Sequence, residues 1–278
     1  MSRKIALLLV ALVVTSLSFG QKKEKIKGSK IVTVAIKELP NFETIEVGDN
    51  FEIILVKGDK PSIEIEADDN LHEIINYEVS GNVLKINALK EATGYKKFTI
   101  RINYTNDLQL ITARNEAEIK ALAAIELEKI TVKNYNNSKS FLNVNSNYFA
   151  LILDDKAEAE INVKAESTSV ELSKNSELKA LIASTEFKLD MYQKSTALIE
   201  GTATNAKMRL DNSSHLTAPK FVMGTVELET DATAKCEINT SIAITITAAG
   251  KSQVELWGDQ KITIKKFANN ATLQKKEK

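Results

Sequence analysis

The chain has 278 residues, and its 37 Lys and Arg balance its 37 Asp and Glu. No global charge therefore draws nucleic acid or an anionic membrane to it. A single cysteine excludes an internal disulfide, and only three prolines suit a structure that commits nearly every backbone donor to ladders.

Residues 1–20 read as a secretory signal. Arg3 and Lys4 give a positive start, Ile5 to Val14 form a short apolar run, and Ser18 and Gly20 place small residues before a cut at Gln21. The run is shorter than the roughly 20 apolar residues of a membrane span, and no later segment is apolar enough to cross as a helix. No cysteine near the cut supports a lipid anchor. The expectation is an exported protein, in the periplasm, on the surface or outside the cell. Residues 21–30 are rich in lysine and read as a charged linker.

Residues 31–107 form a β-rich region without a fixed beat. Alternation is clear at Phe42–Val47, Phe51–Val56, Ile63–Ala67, Val83–Ile86 and Phe98–Tyr104. Turn signals separate these runs at Gly48-Asp49-Asn50, Gly58-Asp59-Lys60-Pro61 and Ser80-Gly81-Asn82. The region is either an antiparallel cap or a set of irregular early coils. Asn70 to Ile75 read as one helical turn.

From residue 108 one phrase recurs. Its small anchors are Ala117, Ser138, Ala157, Ser176, Ser195, Ser214, Ala234 and Ser252, mostly 19 residues apart. Two positions after them stand Ile119, Ser140, Ala159, Leu178, Ala197, Leu216, Cys236 and Val254; four after stand Ala121, Leu142, Ile161, Ala180, Ile199, Ala218, Ile238 and Leu256. Only Ser140 breaks the apolar rule. Polar residues alternate with these, so each phrase is a strand with one dry and one wet face. A second apolar–any–apolar phrase precedes each anchor, as in Leu151/Leu153, Val170/Leu172 and Ile244/Ile246. Asn115, Asn136, Asp155, Asn212 and Gly250 stand two residues before their anchors and predict tight left-handed turns there.

This beat predicts an all-β right-handed parallel β-helix over residues 108–267, with coils of about 19 residues in a rod of roughly 40 Å. The rival left-handed hexapeptide helix needs a six-residue sub-period, which the uneven gaps do not supply. Residues 268–278 read as a charged tail. Cys236 falls on an inward ladder position, as a small buried apolar residue.

Phe42-Glu43-Thr44-Ile45-Glu46-Val47-Gly48, Phe51 to Asp59, Ile63 to Leu71 and Tyr77 to Ile86, followed by the small-residue repeats, resemble the putative auto-transporter adhesin head GIN domain family over about residues 40 to 266. The resemblance implies a secreted β-helical protein of adhesion or envelope work, with no established enzyme activity and no catalytic residues to carry over. Here the turns read Asn-Glu-Ala, Asn-Asn-Ser and Asn-Ser-Ser where the family often has Gly-Ser-Gly.

The residues themselves supply no catalytic, cofactor-binding or metal-binding constellation. His72 and His215 are the only histidines, and His215 sits on an outward ladder. No phosphate loop, zinc spacing or nucleophile elbow occurs. Asp154, Asp155, Asp190, Asp211, Glu229 and Asp231 are candidate carboxylates for a polysaccharide-acting enzyme, but their positions within the coil vary. Phe141, Leu198 and Ile152 are apolar at outward positions, and Tyr135, Tyr148, Tyr192 and Trp257 are candidate sugar-stacking rings. The leading expectation is a non-enzymatic binding protein that uses outward ladders such as Glu118–Lys139–Glu158–Glu177–Thr196–His215–Lys235–Gln253. Its partner would be a surface polymer or an envelope protein. The alternatives are an enzyme on the same scaffold, or a homo-oligomer paired through an open coil edge.

Overall fold

The computed structural model describes residues 23–277, so the expected signal at 1–20 lies outside the described residues. The strands are β1 (Lys25–Lys27), β2 (Val32–Glu38), β3 (Thr44–Val47), β4 (Glu52–Lys57), β5 (Ser62–Asp68), β6 (Ile75–Ser80), β7 (Val83–Ala88), β8 (Glu91–Thr93), β9 (Phe98–Tyr104), β10 (Leu110–Ala113) and β11 (Glu118–Ala121). There follow β12 (Ile125–Tyr135), β13 (Lys139–Asp154), β14 (Glu158–Leu172), β15 (Glu177–Met191), β16 (Thr196–Leu210), β17 (His215–Thr230), β18 (Lys235–Ala248), β19 (Gln253–Trp257), β20 (Lys261–Phe267) and β21 (Thr272–Lys275). The helical turn expected near residues 70–75 is a 3-10 helix at Asp69–Ile74. The chain is a parallel β-solenoid of about nine turns of about 19 residues.

β14 shows why these residues make a coil. Ala159, Ile161, Val163 and Ala165 point inward and are buried, while Glu158, Glu160, Asn162 and Lys164 face water. The alternation then slips by one residue at Glu166–Ser167, and Thr168, Val170 and Leu172 carry the dry face onward. That slip is one corner, where the pairing with β15 skips Glu166. The second corner is the tight turn before each anchor. All eight residues two positions before the anchors have positive φ: the five expected ones, and also Lys174, Gln193 and Ala232. All eight anchors are buried. A small side chain is needed there because the chain reverses over its own neighbours.

The inward positions stack as the repeat requires. Leu178, Ala197, Leu216, Cys236 and Val254 pair in successive rungs and are buried in one core. Ser140, the exception to the apolar rule, is satisfied internally by Asn134.

The N-terminal end is threaded out of order. β3 lies between β7 and β10, and β4 lies between β9 and β11, all in parallel. The rung that comes first in sequence is therefore second in space, with residues 83–104 beneath it. β6 turns back antiparallel onto β7 through Gly81 and Asn82, both at positive φ as a two-residue hairpin of mirror type requires. β5 pairs antiparallel with β9, and β2 with β5. Leu71 and Ile74 of the 3-10 helix are buried against this end of the core. Thus β3 to β7 and β9 share one sheet and one core with the repeat.

Each charged terminal segment carries a short strand. The linker contains β1, which pairs in parallel with β8 because Ile26 is half-buried against the core. The charged tail contains β21, which adds a strand beside β19 and half-buries Leu273. At that end, Ile262 and Ile264 continue the inward ladder of Ile244 and Ile246 but stay exposed, since no further rung among the described residues covers them.

Candidate binding surface

The outer face of the strand that follows each anchor carries three parallel ladders. The first is the predicted one: Glu118, Lys139, Glu158, Glu177, Thr196, His215, Lys235 and Gln253 pair rung by rung without a break. Lys139 Nζ lies 2.8 Å from Glu158 Oε2, and this contact raises the lysine pKa. His215 is half exposed between Thr196 and Lys235, 3.9 Å from Glu237. His72 bonds Thr33 at 3.0 Å on the far end of the molecule. The two histidines share no site.

Two residues along each strand runs the second ladder, Lys120–Phe141–Glu160–Lys179–Leu198–Thr217. Lys120 bonds Glu118 and Glu52, the latter at 2.9 Å, and both contacts raise its pKa. Its ammonium also sits 5.9 Å from the Phe141 ring centre. The third ladder, one further step out, holds Asn143, Asn162, Leu181 and Glu200. Leu122 stands just past the end of β11, in a bend beyond the last β11–β13 pair, Lys120–Phe141, and lines a hollow with Phe141, Leu181 and Leu198.

This register produces two matched apolar pairs. Leu122 and Phe141, at the end of β11 and on the neighbouring rung, line the same hollow as Leu181 and Leu198, which lie diagonally on adjacent rungs. All four are exposed. The second pair is the first displaced by three rungs, about 14 Å at the strand spacing. Between them stand Asn143, Glu160, Asn162 and Lys179. A second hollow of about 270 Å³ runs from Phe141 to Leu198, with Glu158, Glu177 and His215 along its side. The sequence reading identified Phe141 and Leu198 but missed Leu122 and Leu181. Both stand five residues after an anchor, and extending the alternation one step past the repeated phrase would have found them.

The other candidates are dispersed or occupied. Ile152 is half-buried on the opposite strand segment. Asp154, Asp211 and Asp231 fall on one ladder, and Asp190 and Glu229 on the next, so the carboxylates are more aligned than their sequence positions suggest. They are not bare, however. Burial pushes the Asp154 carboxyl up, but Lys174 and Ser173 outweigh it and hold the pKa down. Asp190 pairs with Lys188 at 2.7 Å, and Arg209 separates it from Glu229 along the ladder. Among the described residues no three potential metal ligands converge. Each candidate sugar-stacking ring has a cation beside it: Arg114 at Tyr135 (4.4 Å), Lys129 at Tyr148 (5.6 Å), Arg209 at Tyr192 (5.7 Å) and Lys276 at Trp257 (5.9 Å). No helix among the described residues is long and apolar enough to cross a membrane.

The architecture recurs in solved structures. A putative adhesin from Parabacteroides merdae ATCC 43184 is 16% identical, with a TM-score of 0.68 over 91% of this chain and 100% of its own. A putative adhesin from Parabacteroides distasonis ATCC 8503 gives 14% and 0.68 over the same shares. A putative lipid binding protein from that organism gives 14% and 0.57, again over 91% and 100%. At these identities the likeness concerns the fold. No curated protein matches the chain. The family model for the putative auto-transporter adhesin, head GIN domain, matches residues 41–259, and the chain belongs to that family.

Proposed function

We propose that this is an exported, non-enzymatic, adhesin-like protein of the envelope or cell surface, which binds through the three-ladder face. The observation that supports this most directly is the repetition of the Leu122/Phe141 pair at Leu181/Leu198. Phe141, Leu181 and Leu198 stand on paired strands and are held in place before binding, so little order is lost on contact. Two apolar anchors with polar groups between them match the layout of a protein interface, in which buried anchors supply energy and polar groups supply register. The partner that fits best is an envelope or surface protein with two apolar contacts about 14 Å apart. A surface polymer fits less well, because the rings that would stack on sugars already lie beside cations.

The test is binding of the labelled protein to intact cells and isolated envelopes, before and after protease treatment, alongside a glycan array with product analysis. Protease-sensitive binding that is lost in the Phe141→Asp/Leu198→Asp double variant, with circular dichroism unchanged, is the expected result. Binding that survives this change removes the face from the account. Array binding without products points to a polymer, and turnover points to an enzyme.

A further inference from the structure

We infer that β2 is a dimerisation strand, pairing antiparallel with β2 of a second copy in a register centred on Ala35. Among the described residues, β2 is the outermost strand on its side of the solenoid and has one partner, β5. Like β20 at the opposite end, it buries almost nothing. Six of its seven residues are exposed, including Val34 at 57% and Ile36 at 70%. Val34 and Ile36 lie opposite Glu66 and Glu64, on the solvent side of the sheet. A bare strand of such high β propensity is an open template for another chain.

Its hydrogen-bonding sides decide the register. Ile31 accepts from Asp69 N–H, and Leu39 donates to the Pro61 carbonyl. In an antiparallel ladder the N–H and C=O of one residue point the same way, and sides alternate along the strand. Ile31, Thr33, Ala35, Lys37 and Leu39 therefore spend their groups on β5, while Val32, Val34, Ile36 and Glu38 present theirs at the free edge. Centring on Ala35 sets Val34 opposite Ile36 of the second copy, and Val32 opposite Glu38. All four presented residues of each copy become hydrogen-bonded pairs, about eight bonds in total. The same register gathers both copies of Val34 and Ile36 into one apolar cluster. The C-terminal edge lacks this self-match. Its last strands carry Lys261, Lys265, Lys266 and Lys275, so two such ends meet with like charge. The contact is one strand wide, below a standard interface, so the dimer forms at micromolar concentrations or above.

Sedimentation velocity on the purified protein from about 1 µM to about 500 µM should show a monomer passing into a dimer. Val34→Pro removes an N–H that β5 does not use and should abolish the shift, whereas Ile264→Lys at the opposite end should leave it. Ala35→Cys supplies an independent readout. Ala35 faces itself across a non-hydrogen-bonded pair, with Cα atoms about 4.5 Å apart, within disulfide range. It should cross-link on mild oxidation, and Thr33→Cys alone should not. A monomer at every concentration, loss of the dimer in Ile264→Lys, or cross-linking of Thr33→Cys as fast as Ala35→Cys would each overturn the assignment. None of these readouts involves a ligand, so the binding face stands or falls separately.

Discussion

Ser140 donates a 2.9 Å hydrogen bond to Asn134 inside the solenoid, where both side chains are fully buried. The two polar residues sit at ladder positions that are apolar in the following coils: Leu153 lies next to Asn134, and Ala159 next to Ser140. Ser140→Ala leaves the Asn134 oxygen unpaired and should cost about 1–3 kcal/mol in urea unfolding. Adding Asn134→Leu should recover most of that loss, since the ladder then continues the leucine row. A double variant no more stable than Ser140→Ala alone would show that the pair does not act as a unit.

Gln193 holds a left-handed turn at φ 59°, the position that Asn fills at 115, 136 and 212. A residue other than Gly, Asn or Asp is strained there by about 1–2 kcal/mol. Gln193→Asn keeps a polar side chain at the corner and should raise Tm, recovering part of that strain. The same exchange at Gln253, an ordinary strand position, should not.

Asp68 is fully buried and accepts backbone N–H bonds from Lys30 (2.8 Å), Lys96 (3.0 Å) and Lys97 (3.0 Å). Burial pushes its carboxyl up, but these donors outweigh it and hold the pKa below the ordinary aspartate value. A lowered folded pKa gives stability that is present above the unfolded value, near 3.9, and is lost as pH falls through the folded one. Asp68→Asn should lower Tm at neutral pH, and the gap from wild type should narrow below about pH 4. An unchanged gap across that range would remove Asp68 from the acid response. Gly28 belongs to the same knot, since a Cβ there would meet the Asp68 carboxylate at 2.3 Å.

Cys236 is buried between Leu216 and Val254, and burial pushes its thiol pKa up. A thiol reagent should therefore label the native protein only as fast as the solenoid opens, and labelling should accelerate across the unfolding transition. Rapid labelling of the native protein would mean that this rung opens by itself.

The ladder from Glu118 to Gln253 was legible residue by residue, because alternation and corner spacing repeat within each coil. Leu122 and Leu181 become legible only when that alternation is extended one step beyond the part of the phrase that recurs. Asn134 carries no sequence signal of its own, and only its hydrogen bond with Ser140 shows that it points inward. The knot at Asp68 leaves no sequence signature at all, because its donors are backbone groups of residues roughly 30 to 40 positions away.

By itself the sequence determined the coil: which faces are dry, where the chain turns, and which residues stack, all set by local alternation and by the few residues that tolerate a left-handed turn. Tertiary structure alone decided the order of the first rungs, the two matched apolar pairs on the outer face, and the bare edge of β2. These depend on which distant strands share hydrogen bonds, and strand pairing is chosen by the whole stack rather than by any one segment.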